Sequence, residues 1–416
     1  DEMGERENTI IVFSSDNGGT SSGGPSGAIH FNRRFAGLAP MPVEHDVGMA
    51  EHVGSGRVSP VYPMGWGQVS NTPFPSFKTY TGGGGRRVSF IVSWPAQIRD
   101  VGQIRPQFAH VTDVMPTLLD LAGVAPLARS HGQDALPMQG ASLKPFLLDA
   151  KAPPVREEQY YECWANRAYY RRGWIAVSLQ KRGGPVDFNT WTLHRQDSDF
   201  SESVDLASAH PDELRELVEA FDRAAWANMV YPLDNRLPIQ KFNQQAPHLR
   251  PPKEGSRRFL PGSQTVHRWS IVPLIADRAF KVTVRLMHGP GDQGVLFALG
   301  EVMGGMVMYI EAGRLNLHYN GFGEYHSLVS LPIPPGERCA TLDYEATGKR
   351  RGRGRLVLDD GSATGWQDLS PTLMYGFHEG LDIGIDRRAP VSWALRERHG
   401  SFRYDGQIRD VVIDSG

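Results

Sequence analysis

NTIIVFSSDNGG, residues 8–19, is the stretch from which the rest of the chain can be read. Ile10, Ile11, Val12 and Phe13 make a short β-branched and aromatic run, the pattern of a buried strand, and it stops on Asp16, Asn17 and two glycines. Two explanations of that stop compete. Asp-Asn-Gly is good turn chemistry, because Asx side chains bond their own backbone and glycine accepts positive φ. A carboxylate and an amide carbonyl side by side at the carboxyl end of a core strand are also a pair of hard oxygen ligands for calcium or magnesium.

A core strand that begins at Ile10 leaves no room ahead of it for the other elements of an α/β sheet, so the chain is expected to be the carboxyl-terminal part of a longer one. Its 416 residues suffice for more than one domain. Lys+Arg 44 against Asp+Glu 46 leaves a net charge of −2, with no basic excess to attract nucleic acid. No apolar run approaches the roughly 20 residues that span a bilayer, so no membrane partner is expected. The first residues, DEMGEREN, are polar and acidic, the opposite of a secretory signal. Cys163 and Cys339 are too few and too far apart for a disulfide framework or a CxxC zinc site.

Outward from the opening strand, a Gly/Ser/Pro-rich stretch reads as a long loop, followed by VSFIVSW (88–94), a second buried strand ended by Pro95. HVTDVMPTLLDLAG reads as a helix with Pro116 in its first turn and Gly123 just past its end. Residues 1–150 are thus expected to be α/β. Residues 151–240 read as a small α+β subdomain: WIAVSL and TWTLHR are strands, and PDELRELVEAFDRAAWANMV is an amphipathic helix with Leu214, Leu217, Val218 and Phe221 on its apolar side. Residues 241–262, rich in Pro, polar and basic residues, read as a linker. From 263 to 416 alternating segments and turn signals predict an all-β sandwich, jelly-roll or lectin-like, with MYI-EAG-RLNLHY as a hairpin.

Several features of the first 150 residues fall in a telling order: DNGG, then Lys78, then the glycines 82–85 with GGRRV, then TDVMPTLLDLAG and QGASLKPFLL. Singly, Lys78 is an ordinary surface lysine and the glycines a flexible turn. Together they resemble the sulfatase family of the alkaline-phosphatase-like superfamily, and the likeness continues through NRAYYRRGWIAVSL and TWTLHRQDSDFSESVDLASAHPDEL, covering residues 8–232. The resemblance implies an incomplete alkaline-phosphatase-like α/β core and a calcium- and formylglycine-dependent hydrolase of sulfate monoesters, of arylsulfatase type. Phosphodiesterase or phosphonate hydrolase activity is the nearest rival within the superfamily. A non-catalytic protein binding carbohydrate or protein through its β-sandwich is the rival outside it.

By the resemblance, Asp16 and Asn17 are half of the ligand shell of one Ca2+ ion, and Lys78 reaches a sulfate oxygen as a point charge. Gly84 and Gly85 let the backbone pass close behind Lys78, and Arg87 pairs with a neighbouring carboxylate. GGRRV departs from the family's usual apolar residue between the glycines and the arginine, which touches the register of Arg87. The formylglycine, made from the Cys of a C-x-[PA]-x-R motif, is expected ahead of the Asp-Asn-Gly strand, so the chain by itself is expected to be inactive. Cys163-Trp164-Ala165-Asn166-Arg167 fits that string formally, but it lies downstream of the metal strand without an Asp-Asp pair before it, and it reads as a small buried residue on a strand. His30, His45 and His52 read as loop histidines without zinc spacing, and His110 as a helix starter. KRRGRGR (349–355) reads as a solvated hairpin tip. Tyr319, Phe322 and Tyr325 are the aromatics placed to stack on a carbohydrate, though packing is the ordinary role of such residues.

Overall fold

The computed structural model describes residues 2–236, 255–373 and 378–415. The chain divides into two units, one made of residues 1–21 and 64–243, the other of residues 22–63 and 244–416.

In the first unit, β1 (Ile11–Ser14) and β2 (Phe90–Ser93) form a two-stranded antiparallel sheet with Ile11 opposite Ser93 and Ser14 opposite Phe90. Both strands lie where the apolar runs predict them, but they are not buried. Ile11, Phe13 and Ile91 keep 54, 59 and 58% of their exposure; among the described residues no further strand extends this pair, and on its other face Val92 packs on Leu143, Phe146 and Leu147. The helix Val114–Ala122 ends as expected on Gly123, which is left-handed at φ 68° and donates to Asp120 O and Leu119 O. Its start is fixed by Asp113, fully buried, which accepts from His110 N and pairs with Arg156 at 2.7 Å. Beyond a small pair, β3 (Arg129–Ser130) and β4 (Gln133–Asp134), come β5 (Glu158–Cys163), β6 (Asn166–Arg171), β7 (Trp174–Ser178) and β8 (Thr192–Arg195), an antiparallel sheet in chain order. The helix Pro211–Ala227 lays Leu217, Ala220, Phe221 and Ala225 on Tyr169, Ala176 and Leu193 of that sheet. Each large apolar side chain so buried contributes about 1.5–3 kcal/mol.

The second unit is built from β9 (Gly255–Phe259), β10 (Phe280–His288), β11 (Gly294–Glu301), β12 (Gly304–Glu311), β13 (Arg314–Gly321), β14 (Glu324–Ser327), β15 (Leu331–Pro332), β16 (Gly336–Gly348), β17 (Arg351–Leu358), β18 (Gln367–Asp368), β19 (Leu381–Ile383) and β20 (Gln407–Ser415). One antiparallel sheet runs β18-β17-β16-β10-β20-β9 and the other β14-β13-β12-β11-β19, with β15 on β13. Alternate residues of β10, Phe280, Val282, Val284 and Leu286, enter one apolar cluster together with Phe297, Met306, Met308, Leu317 and Tyr319 of the other sheet. The predicted hairpin is β12–β13, turned by Ala312 and Gly313, both left-handed.

Three expectations change here. Of the segment read as linker, residues 241–254 lie outside the described residues, and Gly255–Phe259 is an edge strand on β20. Residues 22–63, read as loop of the first domain, group with the second unit. They contain the short helices Phe31–Phe35 and Val43–Gly48, and Arg33 anchors them by donating to Glu324 at 2.8 Å and to Phe322 O at 3.2 Å. The glycine-rich stretch before Lys78 also holds the helix Met64–Asn71.

Candidate functional site

The backbone after β1 turns at once. Ser15 Oγ donates to Asn17 O, Asp16 Oδ1 accepts from Asn17 N at 2.9 Å, and Asn17 Nδ2 donates to Gly18 O at 3.0 Å. These are the local Asx bonds of turn chemistry, and they leave Asp16 exposed with Asn17 half-buried beside it. Because the amide nitrogen of Asn17 is spent on Gly18, its oxygen is the end available to a cation. The donor set of one carboxylate and one amide oxygen fits a hard divalent ion. Among the described residues no group of three or more His, Cys, Asp or Glu side chains is placed to hold a metal.

The turn is tied to the loop that carries Lys78. Gly19 O accepts from Lys78 N at 3.0 Å, and the buried Asn71 addresses both polar groups of Gly19, its Oδ1 accepting from Gly19 N at 2.6 Å and its Nδ2 donating to Gly19 O at 3.3 Å. The Lys78 side chain is exposed. Asn71 was not singled out in the sequence, where its one signal is an amide residue closing a short helix ahead of Thr-Pro.

Glycines 82–85 are not a flexible turn. Gly83–Arg86 is a single helical turn packed on the Lys78 loop: a Cβ on Gly84 would lie 2.3 Å from Ser76 O, and one on Gly85 2.1 Å from Tyr80 O. Among the described residues Arg87 has no carboxylate paired with it, contrary to expectation. Its guanidinium sits 4.0 Å from the ring centre of Phe200 and 4.7 Å from that of Phe74, where burial first, then Arg86, lowers its pKa. The carboxylate partner belongs to Arg86, which forms a buried ion pair with Glu202 and donates to Thr81 O at 3.0 Å. One residue of register at the end of a short helix separates the two roles.

The turn bearing Asp16 and Asn17, the Lys78 loop and the Gly84–Gly85 turn therefore meet through their backbones, within one stretch of sequence. That stretch, residues 1–124, matches the model of the sulfatase family. The chain is 28% identical over 222 residues to an uncharacterised sulfatase of Schizosaccharomyces pombe, covering 52% of this chain and 38% of the relative. It is 30% identical over 143 residues to the arylsulfatase of Klebsiella aerogenes, covering 34% of this chain and 29% of that enzyme. A multifunctional alkaline phosphatase superfamily protein of Trinickia caryophylli is 30% identical over 95 residues, covering 23% of this chain and 17% of the relative. The matches thus span less than two fifths of each relative's length.

Other candidates have other partners or surroundings. Cys163 closes β5 at a hairpin turned by Trp164 and Ala165, and it is half-buried, not fully buried as expected. His110 caps its helix by accepting from Thr112 N, as the sequence predicts. His30 is buried in the second unit, whereas His45 and His52 stand next to Asp46 and Glu51. The arginines of 351–355 are not a bare cationic tip: Arg353 and Arg355 pair with Glu345 and Asp343 and lie over Trp366. Tyr319 and Phe322 are core residues at 1% exposure, and Tyr325 is exposed. A cavity of about 350 Å³ beside Phe108, Arg156, Tyr170 and Arg172 takes no part of its lining from Asp16, Asn17 or Lys78.

Proposed function

We propose that the chain supplies the metal-binding and sulfate-binding share of a sulfate monoester hydrolase of arylsulfatase type on an alkaline-phosphatase-like core. The observation that carries this reading is the bond from Lys78 N to Gly19 O, which ties a cationic side chain's loop to the turn bearing Asp16 and Asn17 inside the sulfatase segment. Sulfate ester hydrolysis gathers negative charge on the departing oxygen, so the site needs fixed positive charge at the sulfuryl group. Asp16 and Asn17 would hold part of the oxygen shell of a calcium ion, and the ion, when bound, supplies Lewis acidity toward a sulfuryl oxygen. Lys78 holds its ammonium toward another sulfuryl oxygen as a compact point charge. A formylglycine would supply the nucleophile of such a site. In the second unit, the two sheets that share one apolar cluster are read as an accessory β-sandwich, jelly-roll or lectin-like.

The test is kinetic, on the protein produced from its extended coding sequence, with 4-nitrophenyl sulfate against bis(4-nitrophenyl) phosphate. Sulfate turnover should depend on calcium and fall about 100- to 1,000-fold in Lys78→Ala. Asp16→Ala should fall with it and bind calcium more weakly. Full turnover in either variant, or a preference for the phosphate diester, would refute the reading.

A further inference from the structure

Lys78 lies between two residues held in a conformation that L side chains resist. Ser76 and Thr79 are both left-handed, at φ 75° and 78°. Such backbone persists only where its surroundings over-determine it. Here each strained residue has its carbonyl held by a different buried asparagine. Ser76 O accepts from Asn71 Nδ2 at 3.0 Å, and Thr79 O accepts from Asn166 Nδ2 at 2.9 Å. Asn71 keeps 6% of its exposure and Asn166 4%.

The geometry points to Asn71 and Asn166 as positioning residues that clamp the Lys78 loop from its two ends; the proposal rests on the reading of Lys78 as the sulfate-binding cation. Neither amide needs to touch a substrate. Asn71 reads Gly19 with its remaining capacity, so one side chain sets the loop against the turn of Asp16 and Asn17. Asn166 is fixed in turn, its Oδ1 accepting from Gln180 N at 2.7 Å and its Nδ2 also donating to Cys163 O at 2.9 Å. The Cys163–Arg167 string, which mimics a nucleophile motif, thereby has another use: its hairpin carries the second clamp, and Arg167 O accepts from Thr81 Oγ1 at 2.9 Å just beyond it. Both roles need a side chain that donates and accepts at once. Aspartate, of the same shape, can accept but not donate.

Asn71→Asp and Asn166→Asp test this, each alone and combined with Lys78→Ala. In the chain as it stands, each substitution should speed tryptic cleavage after Lys78 by about tenfold, as the loop opens more often. Unchanged cleavage in both would overturn the clamp. In the full-length protein each should lower kcat/KM for 4-nitrophenyl sulfate by about 100-fold, with almost no further loss once Lys78 is alanine. Equal losses with and without Lys78 would mean a general structural role and would refute the proposal. Normal turnover in Lys78→Ala itself would instead remove the sulfatase reading of that lysine, while the cleavage result still judged the clamp. The two asparagines sit on different elements, so a variant that fails to fold leaves the other to decide.

Discussion

Arg86 and Glu202 form an ion pair in which the two side chains keep only 6% and 2% of their exposure. Glu202 also accepts from Gly83 N and Gln196 Nε2, so its charge is satisfied on several sides. Removing one member of such a pair leaves the other charge buried and uncompensated, at a cost of about 3–5 kcal/mol. Arg86→Ala and Glu202→Ala should therefore lower the urea midpoint of the first unit strongly. Arg87→Ala, which gives up ring contacts with Phe74 and Phe200, should cost only about 0.5–2 kcal/mol. The assignment is wrong if Arg87→Ala proves the costlier change.

Gly18 makes the closest approach in the turn: a Cβ there would sit 1.6 Å from Gly84 O, a backbone atom that cannot swing aside. Gly18→Ala should destabilise the first unit by more than about 3 kcal/mol and weaken calcium binding by the full-length protein. Gly65, in the helix Met64–Asn71, has open space at its Cβ position, so Gly65→Ala should be neutral or raise stability by up to about 1 kcal/mol. Thermal melts of the two variants side by side provide the check, and equal melting temperatures would contradict it.

Asp386 has a carboxyl pushed up to about 7, chiefly by burial, with Asp382 and Glu379 adding to the rise and the Val391 N–H and Arg396 opposing it. An unfolded aspartate titrates near 3.9, so between about pH 4 and 7 the folded chain binds the extra proton. The stability this group contributes is complete below pH 4 and is lost as pH rises through 7. Asp386→Asn keeps an acceptor for Val391 N and removes the proton site. Its melting temperature relative to the parent should be higher at pH 8 than at pH 5, and a constant difference would contradict the assignment.

Much of this was legible because the patterns are local. Period-two alternation marks Phe280–His288, and a 3.6-residue apolar stripe with a proline start marks Pro211–Ala227. What was not legible depends on distant partners. Gly255–Phe259 looks like linker because it is an edge strand, and edges carry charges such as Arg257 and Arg258. Nothing within residues 22–63 announces that Arg33 will meet Glu324. Burial of β1 and β2 could not be read from their own apolar residues, since burial belongs to whatever covers a strand. In the candidate site, Asp16, Asn17 and Lys78 were singled out by motif order, whereas Asn71 and Asn166 bond backbone carbonyls and leave almost no motif.

His30 shows how placement converts a loop residue into a pH-sensitive one. Its ring lies on Gly323, where a Cβ would come within 2.6 Å, and its Nε2 is buried without a hydrogen-bond partner among the described residues. Burial first, then His45 and Arg33, lowers its pKa to about 4 against the opposing pull of Asp46. An unfolded histidine titrates near 6.5, so the unfolded chain takes up the proton first as pH falls. The contribution is present above pH 6.5 and is lost progressively as pH drops from there through 4. His30→Phe keeps an aromatic ring on Gly323 while removing both the proton site and the unpartnered nitrogen. At pH 7.5 the variant should be as stable as the parent or slightly more so, because an unsatisfied buried polar atom has gone. Between pH 6.5 and 4 its advantage should widen steadily in thermal melts. A stability difference independent of pH across that window would show that His30 is not held neutral by its surroundings.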